Sequence, residues 1–186
     1  MDLFEAIDTR RSIKRFTARE VPREQIERII DAAIRVPNHR LTEPWRFAVL
    51  GDRAREAYAR RRGVLKAGNA PEGEARAVIE EKVFWETAAV PAIIAALSAV
   101  HEDPAVYEED LAAVWMAVQN LSLAATALGL GTHIRTGTVT EDWEVQKIVG
   151  AKPGERLCAL VYLGAPAETP DPKPRLSPES KTTWLE

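Results

Sequence analysis

Apolar residues recur along this chain at two spacings, and these spacings predict most of its elements. Leu3, Phe4 and Ile7 fall on one face of a short helix over residues 2–10. Pro22 opens a second helix, because proline is tolerated in a first turn. Ile26, Ile29, Ile30, Ala33 and Ile34 follow at helical spacing, and Pro37 ends the run. A turn-rich stretch from Asn38 to Pro44 leads into a strand at Arg46–Leu50, closed by Gly51. Residues 52–62 and 72–87 predict charged, exposed helices. The intervening segment from Gly63 to Gly73, which holds Gly68, Asn69 and Pro71, predicts a mobile loop. Ala92–Leu97 and Leu157–Leu163 are short apolar runs bounded by Pro91 and Gly164, and both predict buried strands.

The longest periodic segment runs from Glu108 to Leu130. Leu111, Val114, Trp115, Val118, Leu121, Ser122, Ala125 and Leu128 recur at three and four. The opposite face, including Ala112, Ala113, Met116, Ala117 and Leu123, is apolar as well. A helix apolar all round is buried all round, which predicts either a central core helix or a subunit interface. Gly129 and Gly131 end it, Ile134 to Thr136 predicts a short strand edge, and Asp142–Val149 a short helix. Beyond Pro166 the prolines at 170, 172, 174 and 178 rule out helix and central strand, so the tail runs extended. Strands and helices mix without regular βαβ alternation. The predicted class is α+β, in one domain over residues 1–186.

Composition narrows the function classes. The chain is 46% hydrophobic and 28% charged with net charge −3, so bulk electrostatics favour neither nucleic acid nor an anionic membrane. No apolar run reaches the roughly 18–20 residues of a membrane helix. Acids at Asp2 and Glu5 do not read as a secretory leader. One cysteine, Cys158, forms no intramolecular disulfide, and no Cys/His cluster has metal-ligand spacing. The expectation is a cytoplasmic protein with neither a membrane nor a nucleic-acid partner and no metal site.

Four groups of residues have the chemistry of a site. Arg10-Arg11-Ser12-Ile13-Lys14-Arg15 sets two guanidiniums, an ammonium and a hydroxyl at a helix end. A phosphate dianion needs these donors, and the same charges also complement a helix dipole. The connection from Pro37 to Phe47 packs Asn38, His39 and Trp45 between two prolines, either as a functional loop or as a rigid aromatic turn. Gly129-Leu130-Gly131-Thr132-His133-Ile134-Arg135-Thr136-Gly137 allows close backbone approach to a flat ligand, or caps a helix. Lys173-Pro174-Arg175 spaces two cations in the tail, as a binding element or as solubilising charge. Glu108, Glu109 and Asp110 read as a solvated helix start, and Cys158 as core filler.

The order of these signals resembles the nitroreductase family over essentially the whole chain. Arg-Arg-Ser follows a short helix. A proline-led loop closes in Pro44-Trp45 before a strand. A long apolar helix ends in Gly-Leu-Gly, followed by Ile-Arg-Thr-Gly, then Tyr162-Leu163-Gly164-x-Pro166 and finally Lys-Pro-Arg. The resemblance is greatest to the small members with a Pro-x-His loop. It implies a central mixed or antiparallel sheet flanked by helices and a homodimer with the long helix buried at its interface. Two FMN sites would be shared between the subunits. It further implies that Arg10, Arg11 and Ser12 hold the FMN phosphate with Lys173 and Arg175, that Arg35 and His39 contact the flavin, and that Ile134, Arg135 and Thr136 lie along the ring or ribityl chain. Glu43 departs from the Gln that many relatives carry before Pro-Trp, and the insertions of longer members are missing.

That resemblance implies ping-pong hydride transfer from NADH or NADPH through FMN to a nitroaromatic, quinone or similar small acceptor. No general acid or base is nominated, since solvent can supply the acceptor's proton. The alternatives are a specialised flavoprotein of the same fold, whether flavin-fragmenting, dehalogenating or dehydrogenating, a non-catalytic flavin-binding or sensing dimer, and a purely structural dimer.

Overall fold

In a computed structural model, which describes residues 1–185, the sheet has four strands, all antiparallel, in the order β1-β2-β4-β3. These are β1 (Trp45–Val49), β2 (Ala92–Ala99), β3 (Gly131–Arg135) and β4 (Glu155–Gly164). The helices are α1 (Leu3–Thr9), α2 (Arg23–Ala33), α3 (Asp52–Ala67), α4 (Glu74–Ala88), α5 (Pro104–Ala127), α6 (Thr138–Glu141) and α7 (Trp143–Ile148). The α+β reading holds, and the sheet is purely antiparallel. No helix among the described residues is long and apolar enough to cross a membrane.

The central strand β2 explains the apolar run at 92–97. Its residues alternate between two cores. Ala92, Ile94 and Ala96 pack on the side of α2 and α5, while Ile93, Ala95 and Leu97 pack with Tyr58 of α3 and Val145 of α7. A strand buried on both faces reads as continuous rather than alternating hydrophobicity. β4 runs beside it with a register shift at Ala96/Leu97. Cys158, opposite that shift, is buried in the α2/α5 core, and its burial pushes the thiol pKa up.

α5 starts earlier than its periodicity suggested. Asp103 caps it by accepting from the amide of Ala105, and Pro104 occupies the first position. One face, with Val114, Ala117, Val118, Leu121 and Ala125, is fully buried. The other is not covered within one chain: Trp115 and Met116 stay 41% and 40% exposed. The neighbouring α1 shows the same pattern, burying only Ala6 and leaving Leu3, Phe4 and Ile7 in solvent.

Three expectations need correction. The segment from 63 is not a loop: α3 continues through Gly63 to Ala67, and the connection is only 68–73. Gly63 is a contact residue, since a Cβ there would sit 2.8 Å from the carbonyl oxygen of Glu80 in α4. Nor is α3 merely an exposed charged helix, because Tyr58 and Ala59 are completely buried. Likewise Gly131 does not end α5. Gly129 follows the helix, and Gly131 is already the first residue of β3.

Candidate functional site

α1 stops at Thr9 because Arg10 leaves helical geometry (ψ 125°) and the chain goes extended. That extended segment lies parallel beside β3. Ser12 bridges Thr132, and the amide of Ile13 donates to the Thr132 carbonyl at 2.9 Å. Ile13 is buried, so Ser12 and Lys14, its neighbours on either side, face solvent. The close approach depends on Gly131, where any Cβ would stand 2.3 Å from Cγ1 of Ile13. One turn of chain later Phe16 bridges Pro166, and the Thr17 amide donates to the Ala165 carbonyl. Residues 10–17 are thereby fixed against β3 and the exit of β4.

This arrangement brings Arg10, Arg11 and Ser12 together with the segment Thr132 to Thr136. Arg11 donates to the carbonyls of Asp8 and Arg10, while its Nε is buried without a partner. Arg11 also lines a small cavity of about 210 Å³ with Thr9, Ile13, Gly131 and Thr169. Arg135 is half-buried; its guanidinium lies 5.5 Å from the ring centre of Tyr162, and its Nε is also unpartnered. Ile134 and Thr136 are exposed on the same strand end.

Three further residues stand here that the sequence reading did not nominate. His133 pairs with Tyr162 in the β3/β4 register, and its Nδ1 is buried and unpartnered. Burial pushes its pKa down, the charge of Arg135 adds to this, and Lys14 and Arg62 contribute further, so the ring is neutral at pH 7. Lys14 was visible in the basic run. Arg62 was not, because its helix was read as an exposed surface element. No acid answers these charges: among the described residues, none of Arg10, Arg11, Lys14, Arg62 and Arg135 takes part in an ion pair. Five unpaired cations in a chain of net charge −3, with buried unpartnered nitrogens on Arg11, His133 and Arg135, suit an anionic, acceptor-rich ligand. A flavin mononucleotide has that chemistry, so the residues present fit the cofactor that the resemblance implies.

The remaining candidates lie apart within one chain. Arg35 pairs with Asp31 at 2.7 Å on the exposed end of α2. His39 Nδ1 pairs with Glu109 of α5 at 2.8 Å. Lys173 and Arg175 lie in the fully exposed tail. Among the described residues no hydrogen bond or ion pair joins any of these four to the Arg10–Ser12 group. The loop carrying His39 is tightly built. Arg40, Leu41 and Glu43 all adopt left-handed backbone (φ 62°, 51° and 44°). Asn38 holds them by donating to Thr42 and accepting from the Glu43 amide, and Thr42 donates to Asp110. This corrects the reading of Glu109 and Asp110 as a solvated helix start: Asp110 is 3% exposed and both acids mount the loop on α5. A groove of about 930 Å³ lies elsewhere, between α3 and α4 around Phe84 and Trp85.

Comparison with known proteins agrees with this architecture. A Bacillus subtilis protein, provisionally named NAD(P)H nitroreductase YfhC, is 31% identical over 177 residues, covering 93% of this chain and 89% of its own. The crystal structure of a nitroreductase-like protein from Bacillus cereus superposes with a TM-score of 0.86 over 100% of this chain and 97% of its own, at 24% identity. An iodotyrosine deiodinase solved with FMN and 3-iodo-L-tyrosine bound gives a TM-score of 0.74 at 23% identity over 95% and 96% of the two chains. At those identities the two structures speak to the fold alone. The family model described as the nitroreductase family matches residues 7–165, and the chain belongs to that family.

Proposed function

We propose that this protein is an FMN-dependent oxidoreductase that takes hydride from NADH or NADPH and passes it to a nitroaromatic, quinone or similar small acceptor. FMN, when bound, supplies the redox chemistry, accepting hydride at N5 and releasing it in a second, ping-pong half-reaction. The carrying observation is the set of unpaired cations around the Ser12–Thr132 bridge. Arg10, Arg11 and Ser12 hold the phosphate: two guanidiniums give charge and forked donors, and the hydroxyl gives a neutral donor. Ile134, Arg135 and Thr136 lie along the ribityl chain and ring. Similarity to an NAD(P)H nitroreductase by name supports the hydride donor, and the FMN held in the same fold by the deiodinase supports the cofactor.

The working form in this reading is a homodimer. Trp115, Met116, Leu3, Phe4 and Ile7 form uncovered apolar surface on α5 and α1, and such surface marks an interface. The exposed tail carries Leu176, Trp184 and Leu185, 70%, 88% and 91% exposed, which also calls for a covering partner. In the dimer Arg35 and His39 contact the flavin, and Lys173 and Arg175 complete the phosphate site. The buried, unpaired Cys158 fits a reducing compartment, the cytoplasm.

An absorption spectrum tests the reading. The purified protein should be yellow, bleach anaerobically with NADH or NADPH, and recover colour with a quinone. Nitroaromatic, quinone and halotyrosine acceptors assayed side by side rank the acceptor class. Arg10→Ala should weaken FMN binding, and so should Lys173→Ala/Arg175→Ala. A colourless protein that takes up no added FMN would end the proposal.

A further inference from the structure

The loop of residues 37–44 contains no glycine, yet Arg40, Leu41 and Glu43 all stand in left-handed backbone, at φ 62°, 51° and 44°. Glycine, asparagine and aspartate take that region most easily, and a large side chain there costs stability. A dense set of braces holds the strained backbone. Asn38 accepts from the Glu43 amide at 2.7 Å and donates to Thr42 at 3.0 Å. Thr42 donates to the buried Asp110, and His39 pairs with Glu109 at 2.8 Å. The two side chains at the tip are nevertheless left to solvent. Leu41 is 82% exposed. Arg40 is exposed as well, and among the described residues it takes part in no ion pair. The loop's one carboxylate, Glu43, stands three residues on and does not pair with it. Strain held in place by over-determined bonding marks residues kept for what they meet rather than for the turn they make.

Arg40 directly follows His39 in the chain. Resting on the reading above, in which His39 meets the flavin in the dimer, we propose that Arg40 and Leu41 select the acceptor, a planar aromatic molecule bearing an anionic substituent, in the simplest case a carboxylate. Leu41 offers an aliphatic surface for the ring. Arg40 offers a permanent charge and a fork of donors, which suits a carboxylate held by two parallel hydrogen bonds. Neighbouring positions thus give one apolar and one cationic surface. A benzoate-type molecule matches them, since its ring and carboxylate are neighbours too. The braces fix the backbone beneath both side chains before an acceptor arrives, so less ordering is left for the binding step. A dinucleotide phosphate shares the anionic chemistry, and the half-reactions separate the two sources.

The test uses the FMN-loaded protein in its oxidised form, which binds an acceptor without turning it over, and reads dissociation constants from the perturbed flavin absorbance. 4-Nitrobenzoate and 4-nitrobenzamide share ring and nitro group and differ by one charge. Wild type should bind the benzoate more tightly, with a preference that shrinks as salt rises. Arg40→Gln should weaken 4-nitrobenzoate about tenfold, the loss of one charge-assisted hydrogen bond, and 4-nitrobenzamide far less. Arg40→Lys should fall between, since it keeps the charge and loses the fork. Leu41→Gly should weaken both ligands alike. A thermal melt controls for folding and gel filtration for assembly. Equal losses on the two ligands in Arg40→Gln, or no loss, would overturn the selection. So would a wild-type preference that is absent or unmoved by salt, an outcome that decides even where Arg40→Gln does not fold. A matching loss in the rate of anaerobic reduction by NADH or NADPH would assign Arg40 to the dinucleotide phosphates. A changed assembly state in either variant would assign the tip to the subunit contact. Each of these overturns the proposal. Failure of the wild-type protein to bind FMN would instead defeat the flavin reading itself.

Discussion

Ile13 rests against Gly131 so closely that a methyl group on the glycine would meet its side chain at 2.3 Å. This one contact aligns the segment bearing Arg10, Arg11 and Ser12 with β3, which bears His133 and Arg135. Gly131→Ala should therefore cost about 1–3 kcal/mol through overpacking against Ile13 and Pro166. FMN affinity should fall with it. A thermal melt and a flavin titration measure both, and Gly131→Ala/Ile13→Ala should recover part of the affinity, because the clash is removed. Wild-type affinity in the single variant would show that the alignment does not matter.

The loop of residues 38–44 stores backbone strain and is anchored by Asp110. Thr42→Val removes the donor to a buried carboxylate and should destabilise the protein by about 1–3 kcal/mol. Leu41→Gly acts in the opposite sense. Leu41 is 82% exposed, so little burial is lost, and its left-handed φ of 51° suits glycine. Relief of about 1 kcal/mol of strain is expected, offset in part by the extra chain entropy of glycine. Urea unfolding of the two variants should move the midpoint down for Thr42→Val and leave it equal or higher for Leu41→Gly.

Acid stability should follow Asp142. Its carboxylate receives two bonds from Arg61, at 2.9 and 2.6 Å, and also caps α7 through the Val145 amide. The Arg61 hydrogen bonds hold its pKa below the usual carboxylate range, although burial opposes them. A lowered folded pKa means that the contribution is complete above the unfolded value, near 4, and fades as pH drops through the lower folded value. Stability should begin to fall below about pH 5. Asp142→Asn should lose about 1–2 kcal/mol at pH 7 and show a flatter acid limb. Asp142→Ala should lose more, since the cap goes as well. Equal acid limbs in wild type and Asp142→Asn would contradict this.

Gly63→Ala sets two effects against each other. Alanine in a helix interior gains about 1 kcal/mol over glycine. The new methyl would lie 2.8 Å from a backbone oxygen and 3.2 Å from Cα of Glu80, neither of which can move alone. Overpacking of about 1–3 kcal/mol should win, so the variant should melt lower than wild type. A higher melting temperature would mean that α3 and α4 can separate at little cost.

Local chemistry accounts for what the sequence by itself determined. Helical spacing placed α2, and continuous apolar runs placed β2 and β4, because period and burial leave their mark in neighbouring residues. Prolines ruled out regular structure after residue 166, and the described tail contains only a short 3-10 turn at Pro178–Lys181. The run Arg10-Arg11-Ser12 showed a local excess of cations on residue type alone. Tertiary structure decided whatever depends on groups far apart in sequence. It turned Gly63 from a loop residue into a helix contact, and made Glu109 and Asp110 the mounts of a loop about 70 residues away. It also turned Arg62, on an apparent surface helix, toward the buried hydroxyl of Thr87. A glycine's lack of a side chain, or a carboxylate's partner, has meaning only against the atom it meets, and that atom is chosen by the fold.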